Sequence, residues 1–522
     1  MPPHRAAHDA RTKSRTPNSR VSVPIRTVQI GVSRPPLPLA DLPAPERVFK
    51  VRRIGPFEIV RFVLGPSMIA LGASIGSGEW LLGPLAFGKY GFMGIGWLIT
   101  LSAALQTLYN MEVARFTLAT GEVPAVAFSR VPPGRLFWVP FTLFAILLGW
   151  LWGGWASAAG QSVFALAVGR VPDMASEIET VRMIGIGLMV LSFALFLYGK
   201  KIARTLEVFN TAAVWFVFAF VVAAAVLVVP AQKWGSAALS AVLPAAVPKG
   251  MDVSLLGGIV GYTGFGAGFN FMLINYYRDK GYGMGYRVGF ISGAIGGTPQ
   301  TVLSSGVTFP ETKRNTAVWK RWWKYLAMDQ WMIFFPGALV GMFVPGLLIA
   351  HLAGAPGAAV PDRSGMPVYA ALELGRQHGA WLFPLTLAVG AFTLFKTQAT
   401  ILEMLIRNTT DSFYSTSLRF RHWVGGDIRR VYYSLGAIFV VLIGAIMHLA
   451  LPTTLLVVSA NLANLAAILF PFVVLFLNRK LPGPARIGVF GTLVLAANVV
   501  FFGFFFLNFL TMQCFGQPLV RF

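Results

Sequence analysis

Two ionisable side chains stand where an apolar chain has little reason to keep them. Glu79 follows the run GASIGSG, and Lys396 sits inside AFTLFKTQATILEML. At the centre of a bilayer-spanning helix each costs about 2.5–3.5 kcal/mol, so each calls for a partner or a task. A carboxylate at Glu79 can ligate a cation or bind a substrate ammonium. It can also simply complement a helix-end dipole, worth about 0.3–1 kcal/mol. An ammonium at Lys396 can serve ion coupling, pair with an acid, or snorkel to the interface, which its mid-span position disfavours. Thr397 and Thr400 set hydroxyls beside it. Trp150, Trp152 and Trp155 of WLWGGW can wall a cavity by cation–π contact, or merely pack. The other charges read as structural. Glu403 and Arg407 have i,i+4 pairing spacing, Asp329 lies near a membrane face, and His448 lies at an interface.

Glu79 ends a glycine cluster, Gly72, Gly76 and Gly78, with Ser74 and Ser77 between them. A second cluster, GYTGFGAG, carries Gly261, Gly264, Gly266 and Gly268. Glycine in a helix interior costs about 1 kcal/mol relative to alanine. Such density predicts helices that unwind mid-span, which is tolerated only where the backbone lines a cavity or is buried in protein. Close packing through small residues is the other reading, and Gly72 and Gly76 alone have its spacing. No strand precedes either cluster, so neither is a dinucleotide fingerprint.

The elements that must position these residues are apolar runs. The chain has 522 residues, 56% hydrophobic and 12% charged, against about 25% charged in soluble domains. This excludes a soluble globular enzyme and predicts an all-α polytopic membrane protein. Eleven spans are expected: 62–88, 93–115, 136–168, 182–198, 207–229, 253–275, 325–352, 381–405, 431–450, 453–477 and 487–511. The segment 288–310, uncharged but rich in Gly, Ser and Thr, reads as a re-entrant or interfacial part of a loop. Residues 1–57, basic and Pro-rich, read as a disordered tail without a signal peptide, 58–511 as the transmembrane domain and 512–522 as a short C-terminal tail. With the N-terminus inside, 34 of the 43 Lys and Arg fall on inside segments and 8 outside. This predicts a cytoplasmic N-terminus, an outside C-terminus and residence in a plasma (inner) membrane. The glycine clusters fall in the first and sixth spans. That predicts a five-plus-five inverted repeat, with an eleventh helix added and discontinuous helices 1 and 6 facing each other at the midplane.

Several pieces in this order resemble the Nramp divalent-metal transporter family, part of the superfamily with the LeuT fold. They are Gly65-Pro66 opening the first span, Trp80 after its break, ARFTLATG (114–121) ending the second, and LLVVSANLANLAAILFPFVVLFLNRKL (455–481) as the tenth with its basic stop. The likeness covers roughly residues 58–511. It implies a secondary active transporter working by alternating access. It also implies that helix 8 packs beside helix 1, where a coupling sodium is often housed, so that Lys396 stands in for the ion with Thr397 beside it. The chain departs from the family at the ligand motifs. The family's Asp-Pro-Gly-Asn falls on Gly76, Ser77, Gly78 and Glu79, and its Met-Pro-His on Phe265, Gly266 and Ala267. The carboxylates of its third helix are missing from WGGWASAAGQ (152–161). GASIGSGE is also similar to the Gly-rich first helix of amino-acid permeases in the same superfamily.

Candidate substrate-binding residues are therefore Ser74, Gly76, Ser77, Gly78 and Glu79 from the first break, and Tyr262, Thr263, Gly264, Phe265, Gly266 and Ala267 from the second. Lys396 and Thr397 are the candidate coupling residues, and Glu79 the candidate metal ligand. The expected function is transport of a divalent metal ion, held by Glu79, hydroxyls and carbonyls. The alternative is an amino acid or other small organic ion, its carboxylate at a half-helix N-terminus and its amine at Glu79. An ion channel is the third reading. No HExxH or Ser/His/Asp set supports an enzyme, and no cofactor is expected; the single cysteine, Cys514, excludes a disulfide framework. The net charge of +23 carries no nucleic-acid motif and is expected to face lipid. Oligomeric state is open, a monomer being compatible. Glu79 and Lys396 are expected to be linked, each neutralising the other.

Overall fold

The computed structural model describes residues 36–63, 65–196, 202–264, 266, 268–288, 306–356, 360, 365–423, 425 and 427–522. The regular elements of the described chain are all helices, apart from an isolated bridge between Pro38 and Thr308. Eight helices are long and apolar enough to cross a membrane. They are Arg135–Val168, Ile178–Leu195, Leu206–Val228, Lys313–Leu352, Leu382–Tyr414, Ile428–Ile446, Pro452–Asn478 and Val489–Phe515. The protein is a multi-pass integral membrane protein.

The other three expected spans are present as helices of a different kind. The second is Gly96–Thr120, whose buried Gln106, Thr107, Asn110 and Glu112 make it polar for a membrane helix. The first is split into Pro66–Ser74 and Gly83–Tyr90, with a π-turn Gly78–Leu82 leading into the second half. The sixth is split into Val253–Tyr262 and Asn270–Lys280. Their glycines act in two ways. Gly264, Gly266 and Gly268 adopt φ of 85°, 66° and 89°, a region that favours glycine and cannot continue a helix. Gly72 is there for close approach, since a Cβ would lie 1.9 Å from Asn210 Oδ1. Gly72→Ala is expected to cost about 1–3 kcal/mol by overpacking, read as a lower melting temperature; unchanged melting would show that Asn210 moves freely aside.

The third span is interrupted as well, contrary to the continuous helix expected over 136–168. Arg135–Trp150 ends, Leu151–Gly153 are non-helical, and Gly154–Val168 follows. Gly153 and Gly154 press on Met447 and on Leu456, where a side chain would not fit. The seventh span begins earlier than expected: an amphipathic helix Lys313–Asp329 runs through a π-turn Gln330–Phe334 into Phe335–Leu352.

The expected tail of 1–57 needs a correction over its described part. Residues 36–49 form a strap across the Lys313–Asp329 helix. The Leu37 carbonyl accepts from Thr308 N–H (2.9 Å), Leu42 N–H donates to Asn315 Oδ1 (3.2 Å), and the Pro43 carbonyl accepts from Trp322 Nε1 (2.7 Å). Phe49 packs edge-on against Trp322 and Tyr282. The Pro-rich sequence has no core of its own, but distant aromatic side chains provide one. Residues 1–35, and 289–305 of the proposed re-entrant segment, lie outside the described residues.

Candidate functional site

The first break is settled by two side chains of opposite charge. In an unbroken helix the Gly72 carbonyl would accept from Gly76 N–H, and the Ile75 carbonyl from Glu79 N–H. Here Gly76 N–H donates to Glu79 Oε2 (3.2 Å), and the Ser74 hydroxyl donates to Glu79 Oε1 (2.6 Å). Lys396 Nζ donates to the freed carbonyls of Gly72 (2.7 Å) and Ile75 (2.5 Å). Thr397 Oγ1 lies 3.2 Å from the Ile75 carbonyl and 3.4 Å from that of Gly72. Both charged residues are buried. Among the described residues no ion pair joins Glu79 to Lys396. They meet indirectly, through one kink whose donors go to the acid and whose acceptors go to the base.

The half-helix Pro66–Ser74 is thus matched at both ends. Lys396 stands at its C-terminus, where a cation is favoured. Asp329 stands at its N-terminus, accepting from Gly65 N–H and Ser67 N–H at 3.1 Å each.

The second break lies against the first: a Cβ on Gly78 would sit 2.9 Å from Tyr262 Cβ. Around this contact four aromatic rings converge. Trp150 is 5.4 Å from Tyr262, 5.9 Å from Trp155 and 3.7 Å from Phe269, centroid to centroid. Trp155 is 5.8 Å from Tyr262. With Ala73, Ser74 and Ser77 they line a small cavity that admits about one water molecule. Tyr262 is held by donating to Ser459 Oγ (2.5 Å), which in turn donates to the Gly149 carbonyl (2.5 Å). The end of the helix Arg135–Trp150 delivers Trp150 into the space, and a Cβ on Gly266 would lie 2.7 Å from its ring.

The expected residues divide accordingly. Ser74, Ser77 and Tyr262 line the cavity. Gly76 and Gly78 shape the break, Gly76 by admitting Thr397 Oγ1 to 2.4 Å of where a Cβ would be. Glu79 reaches the cavity only through the Ser74 hydroxyl. Its own flank lies in an apolar crevice with Val217, Phe218, Val340, Val344 and Pro345, where Gly341 leaves it room. Thr263 faces elsewhere: its hydroxyl donates to the Ile259 carbonyl (2.6 Å), and its carbonyl accepts from Gln106 Nε2 (2.7 Å). Gly264 abuts Phe334. Phe265 and Ala267 lie outside the described residues. Trp150 and Trp155 wall the cavity, whereas Trp152 donates to the Leu148 carbonyl (2.7 Å) outside it. Phe269 had no distinguishing signal among 43 phenylalanines.

A buried ionic cluster joins the Asn270–Lys280 half-helix to the eighth span. Arg407 binds Asp279 Oδ2 (2.5 Å) and Glu403 Oε1 (2.6 Å), and Arg278 binds Asp279 (3.0 Å) and Asp411 (3.1 Å). The Glu403–Arg407 pair is present as its spacing predicted.

No protein-family model and no curated protein sequence matches the chain. Solved structures do match. A manganese transporter of Eremococcus coleocola, bound to an aromatic bis-isothiourea compound, superposes with a TM-score of 0.58 at 17% identity, over 91% of both chains. A variant of that transporter gives 0.61 at 14%, over 91% of this chain and 90% of its own. A nucleobase-cation-symport-1 family transporter, closed around bromovinylhydantoin, gives 0.52 at 13%, over 92% and 96%. The chain thus shares the LeuT fold that its resemblance to the Nramp family implied.

Proposed function

We propose that the protein is a secondary transporter that works by alternating access on a five-plus-five repeat. Its substrate site is the aromatic cavity between the two breaks, and its solute is a small organic cation. One observation carries the reading: Trp150, Trp155, Tyr262 and Phe269 close around the hydroxyls of Ser74 and Ser77. Aromatic faces attract an organic ammonium, and hydroxyls orient it.

A divalent metal, the cargo implied by the family resemblance, fits these residues less well. It requires several oxygen or softer ligands. Among the described residues Glu79 is the only acid at the break, and both of its oxygens already accept from Ser74 and Gly76. Among the described residues no three of His, Cys, Asp and Glu group to hold a metal.

The test is a thermal-shift series on purified full-length protein with primary amines, amino acids, Mn²⁺ and Mg²⁺. Organic amines are expected to raise the melting temperature. Trp150→Ala is expected to weaken their binding about tenfold, the scale of a desolvated cation–π contact. Stabilisation by Mn²⁺ or Mg²⁺ alone would return the site to metal.

A further inference from the structure

A line of buried hydrogen bonds runs from the start of the first half-helix to the second break. Asp329 closes one end. Besides two backbone N–H groups it accepts from the Ser67 hydroxyl (2.7 Å) and the Tyr277 hydroxyl (2.5 Å). Each hydroxyl has one proton, and it is spent on the carboxylate. Both hydroxyls can then only accept, and Gln330 Nε2 donates to them at 3.0 and 2.9 Å. Gln330 Oε1 is left to accept from Asn110 Nδ2 (3.0 Å), and Asn110 Oδ1 accepts from Asn270 Nδ2 (2.6 Å). A carboxylate that only accepts thus dictates the orientation of every amide in the line.

The line ends on Asn270 Oδ1, which has no hydrogen-bond partner among the described residues although the residue is 0% exposed. Asn270 opens the half-helix Asn270–Lys280, directly after Phe269 of the aromatic cavity. Its partner Asn110 lies one helical turn from Gln106, which holds the Thr263 carbonyl of the same break. An unmet buried acceptor is destabilising until a donor arrives. Flipping the amide would point its NH₂ away from Asn110 Oδ1 and leave that oxygen unmet instead.

We propose that Asn270 is a specificity-determining residue: the solute carries a hydrogen-bond donor that Asn270 Oδ1 accepts. Asn110 and Gln330 are positioning residues that hold the amide with its oxygen free. The inference rests on the organic-solute reading above and adds the chemistry of the solute's polar end: an N–H-bearing amine, not a quaternary one.

Two probes separate the proposals, phenethylammonium and N,N,N-trimethylphenethylammonium. They share a ring and a charge, and only the first has N–H donors. Purified full-length protein is expected to bind the first at least about tenfold more tightly, the scale of one unmet buried group. Asn270→Leu and Asn110→Leu are expected to bring the ratio to about one while leaving the affinity for the trimethyl probe within about threefold. A merely structural defect would weaken both probes together and keep the ratio. Equal binding of both probes to the wild type overturns this inference without any variant, and leaves the aromatic site standing. Binding of neither probe overturns the organic-solute reading and this inference with it. A ratio unchanged in both variants removes Asn270 from recognition.

Discussion

Lys396→Met is expected to lower stability by about 1–3 kcal/mol, because it leaves the Gly72 and Ile75 carbonyls to the single hydroxyl proton of Thr397, so that one buried carbonyl loses its donor. Methionine keeps the length and apolar body of the side chain, so the change isolates the ammonium. The wild type is expected to bind and transport equally well in sodium and in potassium buffers, since the oxygen cage at the kink already holds a cation. Lys396→Ser removes the ammonium and leaves three oxygens, from Gly72, Ile75 and Thr397, around the space it filled. That variant is expected to regain stability in sodium, seen as a salt-specific rise in melting temperature absent from potassium. Sodium stimulation of the wild type, or a methionine variant that melts like it, would end the view of Lys396 as a built-in ion.

A larger effect is expected at Arg407. Its side chain is fully buried and braces Asp279 and Glu403, with Tyr276 and Tyr432 also on Glu403. Arg407→Met leaves three buried carboxylates, Asp279, Glu403 and Asp411, to the single guanidinium of Arg278. Removing one partner of a buried ionic pair costs about 3–5 kcal/mol, since the charge left behind keeps its desolvation penalty. Thermal unfolding of detergent-purified protein should register that loss. The double change Arg407→Met with Glu403→Met should recover part of it, because one of the stranded charges goes too. A single variant as stable as the wild type would show that water reaches the cluster.

Much of this was legible in the residues alone. Glycine density located both breaks, and the apolar runs located the helices to within a few residues at most ends. Lys396 was suspect because no apolar environment retains a lysine without reason, and its carbonyl partners turned out to lie on the first break. Glu79 and Lys396 share a kink rather than a salt bridge, a distinction that residue types cannot make. The gap at Leu151–Gly153 was hidden because WLWGGW is as apolar as its surroundings. The Asn110–Gln330–Asp329 line was hidden for a different reason. Neutral amides in apolar spans have no periodicity of their own, and their meaning lies in which atoms they face. The strap over 36–49 looked like a tail because its packing partners, Asn315 and Trp322, lie far along the chain.

That distance sets an order of assembly. Leu42 and Pro43 bond to residues 273 and 279 positions later. At about 5–20 residues per second of synthesis, the strap waits roughly 15–55 seconds before its binding surface leaves the ribosome. During that interval the first six spans enter the bilayer with the segment ahead of them unanchored. Its docking is therefore a late event of biogenesis, and reports that the stretch from Thr308 to Trp322 has been made and folded.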